Sequence, residues 1–208
     1  PRTQSALLES MQERAVTLGG ERRKLDPLFS VFATRNPIEM EGTYPLPEAQ
    51  LDRFLLEVHL KAPSAEEMVL IADRTTQDHE PEIPQVIDAV RLQAMREQVR
   101  QVIASKAVTT YAARLVKGTQ PDAEEAPPLV RENVRYGGRM RAVQSLILCG
   151  KVEALRQGRM HLSTQDLESY LLPALRHRII LSLEGESRGV EIEEIIHELI
   201  RRIKIEGT

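Results

Sequence analysis

Asn36, Arg53, Arg139 and Arg141 carry amide or guanidinium groups of a type that can hydrogen-bond an anion, and nothing in their spacing alone assigns them that role. A guanidinium stays protonated and forks onto carboxylate and phosphate oxygens alike. Asn36 precedes Pro37 at the end of the apolar run Phe29-Ser30-Val31-Phe32-Ala33. Proline removes a donor and holds the preceding residue extended, so a strand would end there with the carboxamide at its C-terminal tip. Ligands of open α/β sheets bind at such tips. Each residue also has a plainer reading. Asn36 can simply turn the chain before a proline. Arg53 can pair with Asp52 or Glu48 at the edge of a short helix, and Arg139 and Arg141 can be a solvated basic helix start. Two further residues attract notice without a partner at useful spacing. His177, between Arg176 and Arg178, has no second metal ligand nearby and is expected to make local structural contacts. Cys149 sits in an apolar pattern and is expected to be a small core residue.

These candidates have no phosphate cradle beside them. The sequence contains neither G-x-x-x-x-G-K-[ST] nor G-x-G-x-x-G. Nor does composition supply a substrate. The 208 residues are 41% hydrophobic and 28% charged, with a net charge of -3, so no basic field favours nucleic acid. Aromatic residues make up 3% and tryptophan is absent, which argues against base stacking. No apolar run approaches the ~18–20 residues of a membrane span. The start Pro1-Arg2-Thr3-Gln4 lacks the pattern of a secretory signal, and the single cysteine fits a reducing compartment, so the expectation is cytoplasmic. The chain opens without Met in what reads as the middle of a helix, which predicts a fragment.

The elements that would hold the candidates follow from periodicity and punctuation. Apolar spacing predicts a helix from Thr3 to Arg14. Gly19-Gly20 between two short extended runs predicts a hairpin, because primed turns need positive φ. Residues 29–33 read as a buried strand, and Pro47 as the start of a short helix reaching Arg53. The alternation Phe54, Leu56, Val58, Leu60 predicts a half-buried strand over 54–61. Ser64 and Glu67 form a capping box for a new helix. Further helices are expected over about 84–103, 106–116, 139–157 and 191–203, with Gly158 as a C′ residue. Ser163 should cap another helix that Pro173 ends or kinks. The acidic, proline-containing stretch 118–128 reads as the most mobile segment.

Three segments carry a family resemblance. Ala33-Thr34-Arg35-Asn36-Pro37, the long block Glu41-Gly42-Thr43-Tyr44-Pro45-Leu46-Pro47-Glu48-Ala49-Gln50-Leu51-Asp52-Arg53-Phe54, and Leu175-Arg176-His177-Arg178-Ile179 closely resemble the MoxR family of AAA+ ATPases. The opening Thr3–Arg14 is similar to the helix after the Walker B strand of that family, which would put both Walker motifs outside this chain. The resemblance implies an α/β portion of an AAA+ (P-loop NTPase) core over 1–62, followed by an all-α lid over 63–208, predominantly helical overall. It implies sensor 1 at Asn36, positioning the attacking water, and an arginine finger at Arg53, reaching a neighbouring subunit's γ-phosphate. It implies sensor 2 at Arg141. The family pattern Gly-x-Ser-Pro-Arg-Ala becomes Gly137-Gly138-Arg139-Met140-Arg141-Ala142 here, so a capping hydroxyl and an N1 proline are lost and Arg139 becomes an alternative sensor 2.

By resemblance the intact protein would hydrolyse ATP with Mg²⁺ in a ring, commonly a hexamer, and remodel client proteins, some with von Willebrand factor A domains. Neither nucleic acid nor a membrane span enters that picture. This chain alone is expected to bind no cofactor tightly, to hold no metal and to be inactive. The competing expectation is a non-catalytic helical interaction module, docking a partner through the Gly19-Gly20 hairpin and the 118–128 loop.

Overall fold

Gly19 and Gly20 both adopt positive φ, 59° and 85°. That is the requirement of the tightest hairpin turns, and it joins β1 (Ala15–Leu18) directly to β2 (Glu21–Lys24) as an antiparallel pair, Ala15 opposite Lys24. The computed structural model describes residues 7, 10, 11, 13–35, 48–76 and 82–205, with backbone alone at 48 and 49. Asn36 lies outside the described residues. Of the described members of the first expected helix, Leu7, Ser10, Met11 and Glu13 are helical, whereas Arg14, at φ 47°, has left the helix.

Next come α1 (Glu48–Leu51), α2 (Ala65–Thr76) and α3 (Ala89–Gln101). The Ser64–Glu67 capping box forms as expected: the Ser64 N–H donates to the Glu67 carboxylate at 2.8 Å and the Glu67 N–H to the Ser64 hydroxyl at 3.2 Å. Neither α2 nor α3 buries a residue.

The core begins at Val102. It is built by α4 (Lys106–Lys117), α5 (Pro128–Asn133), β3 (Val134–Tyr136), α6 (Met140–Arg156), α7 (Thr164–Glu168), α8 (Leu171–Leu175), β4 (Ile180–Leu181), α9 (Leu183–Ser187) and α10 (Ile192–Arg202). Leu115, Leu146, Leu167, Leu171, Leu175, Ile195 and Leu199 meet at its centre. The small ladder β3–β4 pairs Val134 with Leu181 and closes one edge. Gly158, at φ 72°, follows the end of α6, and Ser163 caps α7 in a full capping box with Asp166.

Four expectations are corrected. Residues 29–33 and 54–61 join no ladder among the described residues. A strand exists by pairing its backbone with a neighbour. Here the Phe54 and Leu55 carbonyls accept from the Arg178 side chain, and the Glu57 N–H donates to the Pro173 carbonyl at 2.9 Å. Those groups of the 54–57 segment are therefore spent outside a ladder. Phe32 is left 96% exposed and Leu60 93%. The stretch 118–128 is a packed turn, with Thr119, Ala123 and Ala126 buried. Arg131 donates to the carbonyls of Ala123, Glu124 and Ala126, which replaces the solvent that its polar composition predicted. The helix expected to start at Ser163 is two short helices broken at Ser169–Tyr170, and Pro173 lies in the first turn of the second, where its missing N–H costs little.

Candidate functional site

The sequence motif Leu51-Asp52-Arg53-Phe54 lies where the short α1 ends and the chain crosses onto the helical core. What holds it there is Arg178, just after α8, whose side chain is 2% exposed. Its Nε donates to Asp52 Oδ1 at 2.9 Å. Nη2 donates to the carbonyls of Asp52 (3.0 Å) and Phe54 (2.7 Å) and to Ser145 Oγ (3.3 Å). Nη1 donates to the carbonyls of Ala174 and, at 3.4 Å, Leu55. Burial disfavours the guanidinium's charge and Asp52 opposes that effect. His177 adds a contact from its Nε2 to the Phe54 carbonyl at 3.2 Å, and burial, then the adjacent Arg178, pushes its pKa down. The expectation that His177 makes structural contacts is met.

Arg141, in the first turn of α6, donates to the other Asp52 oxygen at 3.2 Å while its own side chain stays 44% exposed. One carboxylate thus spans two arginines, one buried and one facing solvent. The joint before α6 is tight. The Gly138 N–H donates to Thr119 Oγ1 at 2.8 Å, and the Gln120 side chain donates to the Gly138 carbonyl at 2.9 Å. Arg139 occupies the N-cap position, makes no side-chain cap and is exposed. The structure therefore brings Arg53, Asp52 and Arg141 into one neighbourhood and leaves Arg139 at its edge.

Arg53 differs from its neighbours. The pairing with Asp52 allowed by sequence does not form; the Asp52 oxygens meet Arg178 and Arg141 instead. Arg53 Nε and Nη1 are buried with no hydrogen-bond partner. The other buried side-chain polar atoms left without a partner among the described residues are Gln50 Oε1 and His177 Nδ1, one on the same short helix and one against Phe54. Unpaired buried polar atoms are expensive, so their concentration around one segment calls for an explanation. Of these atoms the two Arg53 nitrogens are donors, the kind an anion such as a phosphate would satisfy, whereas Gln50 Oε1 is an acceptor and would take a donor instead. Such donors offer nothing to Mg²⁺, and no cluster of three His, Cys, Asp or Glu side chains suited to a metal occurs among the described residues.

Sequence reasoning missed Arg178 and Ser145 as parts of this site. The available signals were the resemblance carried by Leu175-Arg176-His177-Arg178-Ile179 and the basic cluster inside it, and nothing local tells which of two arginines turns inward. Cys149 is buried, and burial raises its pKa to about 11, in line with a core thiol.

Comparison with known proteins defines the class. Residues 1–56 match the family model described as "ATPase family associated with various cellular activities (AAA)", and residues 126–199 match the AAA lid domain. A solved structure of a protein from Cytophaga hutchinsonii assigned as an ATPase superposes with a TM-score of 0.91 at 33% identity, covering 99% of this chain and 63% of that one. The fold is a portion of an AAA+ core followed by the helical lid. Chaperone MoxR1 of Mycobacterium tuberculosis is 33% identical over 204 residues, 98% of this chain and 54% of that protein. Protein MoxR of Methylorubrum extorquens is 28% identical over 217 residues, 98% of this chain and 61% of its own length. The uncharacterized protein YeaC of Bacillus subtilis is 34% identical over 207 residues, 99% of this chain and 62% of its own. The chain belongs to the MoxR family of AAA+ ATPases, and it spans between 54% and 62% of the length of these relatives.

Proposed function

We propose that the protein carrying this chain is an ATP hydrolase that works as a ring, with residues 1–62 completing the nucleotide-binding core and 63–208 forming its lid. Arg53 is the arginine finger, offered in trans to the neighbouring subunit's γ-phosphate. Arg141 is sensor 2, with Arg139 as the alternative, and Asn36 is sensor 1. The observation that carries this reading is the Arg53 guanidinium, held against the protein with Nε and Nη1 buried and unpaired. Guanidinium N–H groups shut away from water without a partner are costly unless an acceptor meets them during function. A finger contact is worth about 10³–10⁵ in turnover where it has been measured. Mg²⁺ would accompany ATP through residues other than those described here. A client protein, including one with a von Willebrand factor A domain, would receive the work, in the cytoplasm.

The test is kinetic. In the full-length protein, Arg53→Ala should nearly abolish ATP turnover and leave nucleotide affinity almost unchanged, because a trans finger acts as charge develops in the transition state. Arg141→Ala should also weaken nucleotide binding, since a cis lid arginine meets the phosphates in the ground state. Subunits carrying Arg53→Ala, mixed with subunits lacking the phosphate-cradle lysine, should regain part of the activity. Mixed rings that form yet stay inactive would rule out the trans role. The 208-residue chain alone should release no phosphate; steady release abolished by Asn36→Ala would overturn that expectation.

The docking-module reading loses one of its two supports, because 118–128 is packed. It keeps the hairpin, whose β2 is exposed at every residue. Calorimetric titration of the chain with an ATP analogue separates the two, since micromolar binding contradicts a pure docking module.

A further inference from the structure

We propose that Arg178 is a positioning residue for Arg53, the device by which the helical lid sets where the finger points. This rests on the reading of Arg53 as a trans finger. The observation is the distribution of the Arg178 hydrogen bonds. Three of its acceptors are main-chain carbonyls on the segment that contains Arg53, those of Asp52, Phe54 and Leu55, and a fourth is the Asp52 carboxylate. Its remaining acceptors, the Ala174 carbonyl and Ser145 Oγ, belong to α8 and α6 of the lid. One planar cation therefore grips the backbone on both sides of Arg53 and anchors it to two lid helices. Arg53 itself makes no ion pair among the described residues, and Nε and Nη1 find no hydrogen bond, so no polar contact of its own aims the side chain. Its direction is inherited from the main chain that Arg178 holds.

The same Asp52 carboxylate also receives Arg141, 3.2 Å away on the first turn of α6. A lid arginine drawn onto nucleotide would pull on, or leave, the carboxylate that Arg178 uses to hold the finger segment. The finger and sensor 2 are thereby mechanically adjacent although they serve different nucleotides. A rigid fork is needed for this grip. A lysine keeps the charge but is a point donor that cannot span several carbonyls.

Arg178→Lys in the full-length protein tests the idea. The contacts of His177 with Phe54 and of Glu57 with Pro173 remain, so the segment stays docked while its geometry loosens. We expect turnover to fall about 10²-fold, the size of effect that a roughly 1 Å misplacement produces, with KM for ATP within about two-fold. Mixing supplies the readout that a merely structural role would not move. Arg178→Lys subunits should be rescued by subunits that lack the cradle lysine but keep an intact finger, as Arg53→Ala subunits are. Rescue of Arg53→Ala without rescue of Arg178→Lys overturns the positioning role and leaves the finger intact. Failure of Arg53→Ala itself to be rescued in mixed rings removes the finger reading, and this proposal with it. If Arg178→Lys subunits fail to assemble, Asp52→Asn replaces them. It removes the carboxylate from both arginines while keeping the side-chain shape, so it should lower kcat without raising KM, and unchanged kcat overturns the proposal.

Discussion

Asp166 shows how a single carboxylate ties sequence to stability. It accepts from both terminal nitrogens of Arg159 and from the N–H and hydroxyl of Ser163. The Arg159 hydrogen bonds dominate in pulling its pKa from 3.8 to about 2, with the Ser163 bonds assisting against burial. A folded-state pKa below the unfolded one means stability that is full above about pH 4 and lost as pH falls through about 2. Asp166→Asn should therefore lower Tm at pH 7, and the gap to the parent should narrow between pH 4 and pH 2. A gap that persists at pH 2 would assign the loss to packing. Cys149 offers a second test at this scale. With its pKa raised to about 11 by burial, the thiol should resist iodoacetamide at neutral pH in the folded chain and react only after denaturation.

The element that matters most for the site is the joint between β3 and α6. A Cβ on Gly137 would overlap the Thr119 carbonyl, which is backbone and cannot swing aside. Gly137→Ala should destabilise the fold by about 1–3 kcal/mol, the usual cost of overpacking, measured as a shift in urea midpoint. It should also disturb Arg141, four residues on. Elements governed by local chemistry were legible in the sequence: the Gly19-Gly20 turn, the Ser64 and Ser163 caps and the Gly158 stop each need a few adjacent residues. The short α5, β3, β4 and α9 were not, because they are too brief to show a period and exist through contacts distant in sequence. The strand expected over 54–61 failed for the same reason, since its alternation is real but its backbone is taken by Arg178 and Pro173. At the site, Arg53 and Arg141 could be chosen only through family resemblance. The arrangement around Arg178 needed the fold, because 126 residues separate it from Asp52.

On the scale of the whole molecule, packing is uneven. Apart from Ala15, every buried hydrophobic residue among those described lies between Val102 and Ile203. Before that point, α2 and α3 bury nothing, and Met68, Val69, Leu70 and Ile71 are each about half exposed. Isolated helices of this length are marginal in water. Amide exchange should therefore be fast along 65–76 and slow along α4, α6 and α10. Equal protection across these helices, followed by mass spectrometry, would contradict the assignment of the core to 102–203. The uncovered helices also have a calorimetric consequence. Heat capacity on unfolding tracks the apolar surface newly exposed to water, and α2 and α3 have little left to expose. The melting transition should carry the increment of a domain of roughly 100 residues, about 1.2–1.5 kcal/mol/K, instead of the near-double value that the chain length would imply. A scanning calorimeter would thus weigh only the half of the chain that owns a dry interior.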